Sequence, residues 1–522
     1  MSAPNSETRP EAFFERIQGK LNPITVQYYY GPRIEKARAS LPCLVQVLRA
    51  HVVMLAETAI VPRPAARALL EALAAIAEGG PAALPLDAAL EDIYINLEKA
   101  LAARLGAETA GYLPVARSRN DVEAAMWRIE IREDLARLAH ALLRLAVLTA
   151  RRAHESADTL MPGYTYGQQA QPTTAGHYFS AVAGALLRDI ERLLDAIRRL
   201  DRNPLGAAAF AGTGWPIDRH RTAALLGFDG LLENTLDAVA AADYLLEALT
   251  AAAIAACSLA RLAEDVFRWC ANEVAFATLP DDLIDSSTIM PQKRNPVIVA
   301  TIRAQARVVA GEVAGLLAAS SVAYEASRDV TLAEGNVRDA LAVVEGMTEI
   351  TRAIVGGLQL QPARMIDALR VGFSAATELA DALARDGQLP FRQAHQIVGA
   401  VVAHLSAAGM GPSGLTHAAL DDVCRRIIGR ALPLSVEQVQ AALDFRRAVD
   451  RKSLPGGPAA AEVRRLATVQ RQAADRLGER LRGMEERWLT ARQALRDAEA
   501  ALTSPNRNRD ASGTDPFGRR EP

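Results

Sequence analysis

A chain of 522 residues, half of them apolar, is long enough for two or three domains around a large core. Its net charge of -2 gives no overall electrostatic reason to expect nucleic acid or an acidic membrane surface as a partner. The four cysteines, Cys43, Cys257, Cys270 and Cys424, lie far apart without metal-ligand spacing and read as reduced thiols of a cytoplasmic protein.

Only 5% of the residues are aromatic, and the alanine and leucine that replace them favour helices. The first residues carry charges throughout (Glu7, Arg9, Glu11, Glu15, Arg16) and have no apolar core of the kind a signal peptide needs. Up to about residue 30 the segment reads as partly ordered, ending in Tyr28-Tyr29-Tyr30, a cluster that reads as core packing. Apolar residues recur at helical spacing over about 34–60 and 64–78, until Gly79-Gly80-Pro81 breaks the pattern. Another helix carries the run from Glu91 to Glu98, which includes Tyr94 and Asn96. Residues 1–115 form a first, small helical domain on this reading.

The run Leu113 to Asp121 then leads into helical periodicity up to about Ser156. Ser118, Asn120 and Asp121 are N-cap signals, and the free amides of a helix start favour anions. A second polar loop, Met161 to Pro172, opens a helix from Thr174 to about Arg202. After an irregular crossing from Asn203 to Pro216, long helices are expected at about 236–277, 296–320 and 329–355. The apolar run between Glu247 and Arg261 is too short to span a membrane and suits a buried helix. Residues 116–365 thus read as a central bundle of long helices, 366–502 as a third domain of shorter ones, and 503–522 as a disordered tail. Period-two alternation is almost absent, so the fold class is all-α.

The densest concentration of reactive side chains runs from Asp285 to Pro296. It offers the hydroxyls of Ser286, Ser287 and Thr288, then Lys293 and Asn295, with Pro291 and Pro296 keeping the segment out of a regular helix. A proton acceptor and two carboxylate-binding groups therefore share a dozen residues. The three polar loops sit at helix ends, and loops at opposite ends of a long helix are tens of ångströms apart at about 1.5 Å per residue. A site that uses all three needs several subunits.

These stretches also occur together, and in the same order, in a known family. The loop Ser287-Thr288-Ile289-Met290-Pro291-Gln292-Lys293-Arg294-Asn295-Pro296 is similar to the signature loop of the fumarase/aspartase superfamily, and the chain most resembles its argininosuccinate lyases. Matching runs are Arg117-Ser118-Arg119-Asn120-Asp121, Met161-Pro162-Gly163-Tyr164-Thr165 with Gln168, the Gly206-to-Asp218 crossing, and Pro390 to His395. The resemblance covers roughly residues 30–480. It implies a homotetramer whose central bundle holds roughly twenty helices, with each active site built from three subunits. It also implies a carbon–nitrogen lyase without metal or organic cofactor, which splits a succinyl or aspartate-type small molecule into fumarate and an amine. Ser287 falls on the proton-abstracting serine, and Lys293 and Asn295 on groups that hold the doubly charged carboxylate intermediate. Ser118, Arg119, Asn120, Thr165 and Gln168 fall where the carboxylates are gripped.

Several positions depart from the family pattern. Tyr94 and Tyr166 stand where argininosuccinate lyases carry histidine, so two groups that titrate near neutrality are replaced by phenols of pKa about 10. Tyr166 is the candidate for the group beside the leaving nitrogen, and Tyr94, Asn96, Tyr324 and Arg328 are expected among the substrate contacts. Ala242 replaces an arginine; Thr331 and Glu334 replace a glutamine and a lysine; one extra residue separates Tyr324 from Arg328 on the wall that faces the leaving group. A solvated surface glutamate is the plain reading of Glu334, and a preference for a cationic amine is the alternative. His177 and His395 read as capping or packing groups. Two further readings stay open: an inactive homologue with a structural or binding role, and a true argininosuccinate lyase of arginine biosynthesis with rearranged contacts.

Overall fold

Numbered in chain order, the long helices are α1 (Leu41–Glu57), α2 (Arg63–Gly79), α3 (Ile93–Leu105), α4 (Arg119–Glu155), α5 (Ala175–Leu200), α6 (Asp243–Trp269), α7 (Val297–Ala319), α8 (Arg328–Gly357), α9 (Phe391–Ala407) and α10 (Ala460–Thr503). The structure, a computed structural model, describes residues 21–326 and 328–504, except for the side chains of 81–82 and 328–333. The expected tail at 503–522 lies outside the described residues beyond Ser504, as do residues 1–20.

The all-α expectation holds. In α4 the sequence signals and the element agree: Ser118 caps its start, Asp121 sits in the first turn, and Arg152 and His154 sit in the last, where cations complement the helix dipole. This helix is the spine of the bundle, packing on α5, α8 and α10, while α6 packs on α5, α7 and α8. The start of α5 lies close against the end of α4: a Cβ on Gly176 would meet the Ala153 carbonyl oxygen at 2.5 Å, so only glycine fits.

Three expectations are corrected. The helix expected over 236–277 is two, Thr235–Ala240 and α6, because Ala241 is extended and Ala277–Thr278 (β3) turns away to pair with Gln359–Leu360 (β6). The apolar run between Glu247 and Arg261 is only part of α6. With its 27 residues α6 is long and apolar enough, by length and composition, to cross a membrane, as is the segment Pro23–Glu57. In the fold α6 is a bundle helix that buries Leu245, Leu249, Leu259 and Leu262. The polar loop at 161–172 is a β-hairpin of Leu160–Thr165 (β1) and Gln168–Thr174 (β2), which puts Pro162 opposite Pro172. Paired prolines cannot donate to a ladder, so the run does not read as strand.

One continuous core joins α1 through α8 and takes in Leu477, Leu481, Trp488 and Leu495 of α10. A second, smaller core lies between Leu379 and Ala442 and includes Ile397 and Val401 of α9. The third unit read from sequence as 366–502 therefore loses its last helix: α10 returns along the main bundle, and α1 and α2 share that core as well.

A buried carboxylate ties the return of α10 to the bundle. Asp201, just beyond α5 and fully buried, accepts from Arg132 Nη1 of α4 at 2.6 Å. Its second oxygen accepts from Arg487 Nη2 at 2.6 Å and Trp488 Nε1 at 3.1 Å, both on α10. The Arg132 guanidinium also donates to the Leu226 carbonyl and lies between the rings of Phe228 and Trp488. Removing one partner of such a pair strands a charge in the interior, which costs about 3–5 kcal/mol. Asp201→Ala is expected to lower stability by about that amount in urea unfolding; a midpoint equal to that of the parent protein would contradict the role assigned to this carboxylate.

Candidate active site

The residues expected to act on substrate fall into three groups. The first is the start of α4. Ser118 Oγ accepts the Asn120 amide at 3.3 Å and the Ser118 amide donates to Asp121 Oδ1 at 2.9 Å, so serine and aspartate close a capping box. The other oxygen of Asp121 accepts from Gly206 (3.1 Å) and Ala208 (2.9 Å), and Asn120 Nδ2 donates to the Ala209 carbonyl at 3.0 Å. The irregular crossing is thereby fastened to the helix start. Burial pushes the Asp121 carboxyl up to about 6, although these three amides favour its ionised form. Arg119 is ion-paired with Asp92, and Glu91 lies 3.9 Å away.

Two expected substrate contacts are spent inside the protein. Both amide protons of Asn96 are donated, to the Asp87 carbonyl at 3.1 Å and the Asp92 carbonyl at 2.8 Å, so Asn96 orders the turn before α3 and has no proton left for a ligand. The Tyr94 hydroxyl accepts from Arg117, so it too faces inward.

The second group is the tip of the β1–β2 hairpin. Tyr166 and Gly167 form a two-residue turn with φ of 52° and 74°, the left-handed pair of a type I′ hairpin. Thr165 and Gln168 pair across it, and Tyr166 is fully exposed. Gln169 Nε2 fastens the hairpin to the Ala368 carbonyl at 3.0 Å. His177 is structural as expected, bridging Thr173 Oγ1 at 2.9 Å and the Gly456 carbonyl at 3.0 Å.

The third group is the loop between Asp285–Ser286 (β4) and Arg294–Asn295 (β5), which pair so that Asp285 faces Asn295. Ser287 is half-buried, and its Oγ accepts the backbone amides of Met290 at 3.0 Å and Ile289 at 3.4 Å. Hydrogen bonds to the charged form are what lower a hydroxyl's pKa, so the loop's own backbone favours an alkoxide here. Lys293 is exposed on the same loop, and with Asn295, Phe267 and Asn272 it lines an open cavity. Arg294 anchors the base through Asp281 at 2.6 Å and the Leu279 carbonyl at 3.0 Å.

On the expected leaving-group wall, Tyr324 donates to Asp237. The side chains of Arg328 and Thr331 lie outside the described residues. Glu334 is not a solvated surface group: its side chain is 14% exposed, 3.9 Å from Arg338, and burial together with Glu130 pushes its carboxyl up to about 8. Among the described residues no group of three or more His, Cys, Asp or Glu is placed to hold a metal ion.

A lyase family profile matches residues 24–311, and an argininosuccinate lyase C-terminal profile matches residues 373–450. The argininosuccinate lyase of Methanothermobacter thermautotrophicus is 36% identical over 80% of this chain and 89% of its own length. That of Chelativorans sp. is 39% identical over 80% and 86%. The chain belongs to the argininosuccinate lyase family. Among solved structures, EDDS lyase in complex with formate superposes with a TM-score of 0.84 at 30% identity, covering 93% of this chain and 96% of that one. A variant of EDDS lyase with bound fumarate gives 0.83, also at 30% identity. This lyase is accordingly a fumarate-releasing carbon–nitrogen lyase of argininosuccinate-lyase type acting on an aspartate-type small molecule.

Within one chain of the lyase the three groups do not meet. The hairpin and the Ser287 loop leave the same end of the bundle, where Tyr178 of α5 packs on Trp269 of α6 at 4.7 Å. The Ser118 group lies at the other end, beyond the 37 residues of α4, about 55 Å at 1.5 Å per residue. Sequence reasoning found Asp121 as part of the helix cap but missed its hold on Gly206 and Ala208, and missed the roles of Arg117 and of the Ile289 and Met290 amides. Because burial raises the folded-state value of Asp121 from the ordinary 3.8 to about 6, the folded chain binds a proton there more tightly than the unfolded chain does. The associated stability is full below the lower value and is lost as pH rises through the upper. The stability difference between the parent lyase and Asp121→Asn, measured by urea unfolding, is expected to shift against the parent from pH 4 to 7; a difference independent of pH contradicts the shifted carboxyl.

Proposed function

We propose that the lyase cleaves the carbon–nitrogen bond of an N-substituted aspartate to give fumarate and an amine, or joins them in reverse, and that Ser287 is the base. The observation that carries this reading is the Ser287 hydroxyl facing two backbone amides, on a loop that also presents Lys293 and Asn295. The Ser287 alkoxide takes the proton from the carbon beside a carboxylate. The C–H electron pair moves into that carboxylate, giving a doubly charged intermediate held by Lys293 and the Asn295 amide. It then returns to form the double bond of fumarate, while the C–N pair leaves with nitrogen and is protonated there. Ser118, Arg119 and Asn120 at the helix start, with Thr165 and Gln168 of the hairpin tip, orient the carboxylates. Tyr166, which with Tyr94 stands where the family carries histidine, is the group beside the leaving nitrogen.

The separation of the two bundle ends supports a shared site. Four copies of the chain pack their bundles into one core of roughly twenty helices, and each site draws its three groups from three copies. The apolar side chains of Ile254, Val308 and Leu317, exposed on α6 and α7, support burial against further copies. A cytoplasmic location fits the reduced cysteines.

Ser287→Ala is expected to lower kcat by at least about a thousandfold with its unfolding midpoint unchanged. Fumarate absorbance followed with a panel of amines reads this, and near-parental turnover in the variant removes Ser287 as the base. Mixed refolding of Ser118→Ala and Ser287→Ala subunits is expected to restore part of the activity that neither has alone, since some sites then combine two intact groups. Absence of any recovery in mixed tetramers contradicts the shared site.

A further inference from the structure

The helix start that carries Ser118 is held from below by one short helix, and the contacts are of an unusual kind. Two arginines flank Ser118. Arg119 pairs with Asp92, the N-cap of α3, whose other oxygen accepts the Ile95 amide at 2.9 Å. Arg117, its side chain wholly buried, runs the opposite way into α3, where its Nη1 donates to the Tyr94 hydroxyl and its guanidinium lies 4.7 Å from the Tyr94 ring centre. Its Nε donates to the Leu113 carbonyl at 2.6 Å, closing the loop on itself.

Glu98 stands one turn beyond Tyr94. Its Oε1 is 3.6 Å from Arg117 Nη2, and both of these atoms are buried without a hydrogen bond. The Tyr94 hydroxyl accepts from Arg117 beside this unbonded pair. On the far side of the loop the His51 imidazole, kept neutral by burial, donates Nε2–H to the Val115 carbonyl at 2.8 Å. Between these fixed points Ala116 takes a left-handed φ of 60°, which a residue with a Cβ adopts only when its surroundings impose it.

We propose that Tyr94 is a positioning residue: by taking the Arg117 guanidinium on its hydroxyl and ring face beneath the loop it fixes where Ser118, Arg119 and Asn120 stand, and so sets the affinity of the helix start for a substrate carboxylate. A buried charge pair is poor value as a source of stability and is best understood through the geometry it enforces. Tyr94→Phe keeps the ring under the guanidinium and removes only the hydroxyl that accepts from Arg117, leaving that donor unpaired in the interior. The carboxylate contact rests on the reading of the site given above; the fixing of the loop does not.

Two measurements separate the two. In hydrogen exchange, Tyr94→Phe is expected to speed the amides of the 113–120 loop about tenfold or more while those in the middle of α4 keep the parental rate. In calorimetry with fumarate alone, it is expected to weaken binding about tenfold, with kcat changed less than about threefold. Glu98→Gln, which keeps the shape and removes the charge, is expected to move both readouts in the same direction and serves if Tyr94→Phe does not fold. Parental loop exchange in the folded variant overturns the proposal, as does a collapse of kcat with unchanged fumarate affinity, which would place the phenol on the reacting atoms. A loosened loop in Tyr94→Phe, found together with a parent protein that binds no fumarate, would instead uphold the positioning role and overturn the function proposed for the site.

Discussion

The length of α4 governs everything that the chain can do by itself. A rigid rod of 37 residues carries the Ser118 cap at one end and delivers the hairpin at the other, while the Ser287 loop emerges beside the hairpin. No loop motion spans that distance, so chemistry that needs both ends requires more than one copy. The helix-forming composition thus carries a geometric consequence: helices long enough to build the bundle are too long to let its ends meet.

Charge is used sparingly and in depth. Asp201 gathers donors from α4 and α10, Asp121 gathers the amides of the crossing, and α3 presents Asp92, Tyr94 and Glu98 to the arginines that flank Ser118. In each case an interior or half-buried group fixes an irregular backbone segment that apolar packing alone would leave free to slide. The Ser287 loop works differently. Its backbone amides turn inward on its own hydroxyl, and its lysine is left exposed.

Much of this was legible in the sequence, for reasons that can be named. The extents of α4, α7 and α8 follow from apolar periodicity and from caps such as Ser118 with Asp121, which act within one turn. The hairpin was hidden by its two prolines, and its turn is signalled only by Gly167. Asn96 and Tyr94 belong to a run that reads as substrate-binding, yet their polar atoms are consumed by neighbours at Asp87, Asp92 and Arg117, partners that no local spacing reveals. Glu334 reads as a surface group because nothing near it in the chain shows that Glu130 and Asp134, two hundred residues earlier, share its one arginine. Such long-range burial is what a linear pattern leaves out.

The return of α10 also bears on how the molecule is made. Trp488 closes over a carboxylate that lies 287 residues earlier in the chain, and Glu499 reaches back to Arg49 near the beginning. During synthesis the first nine long helices emerge while the slot for the tenth is open and the Arg132–Asp201 pair is uncovered. A chain that ended before Arg487 would therefore leave Asp201 without the Arg487 and Trp488 donors and Arg132 without one of its two flanking rings.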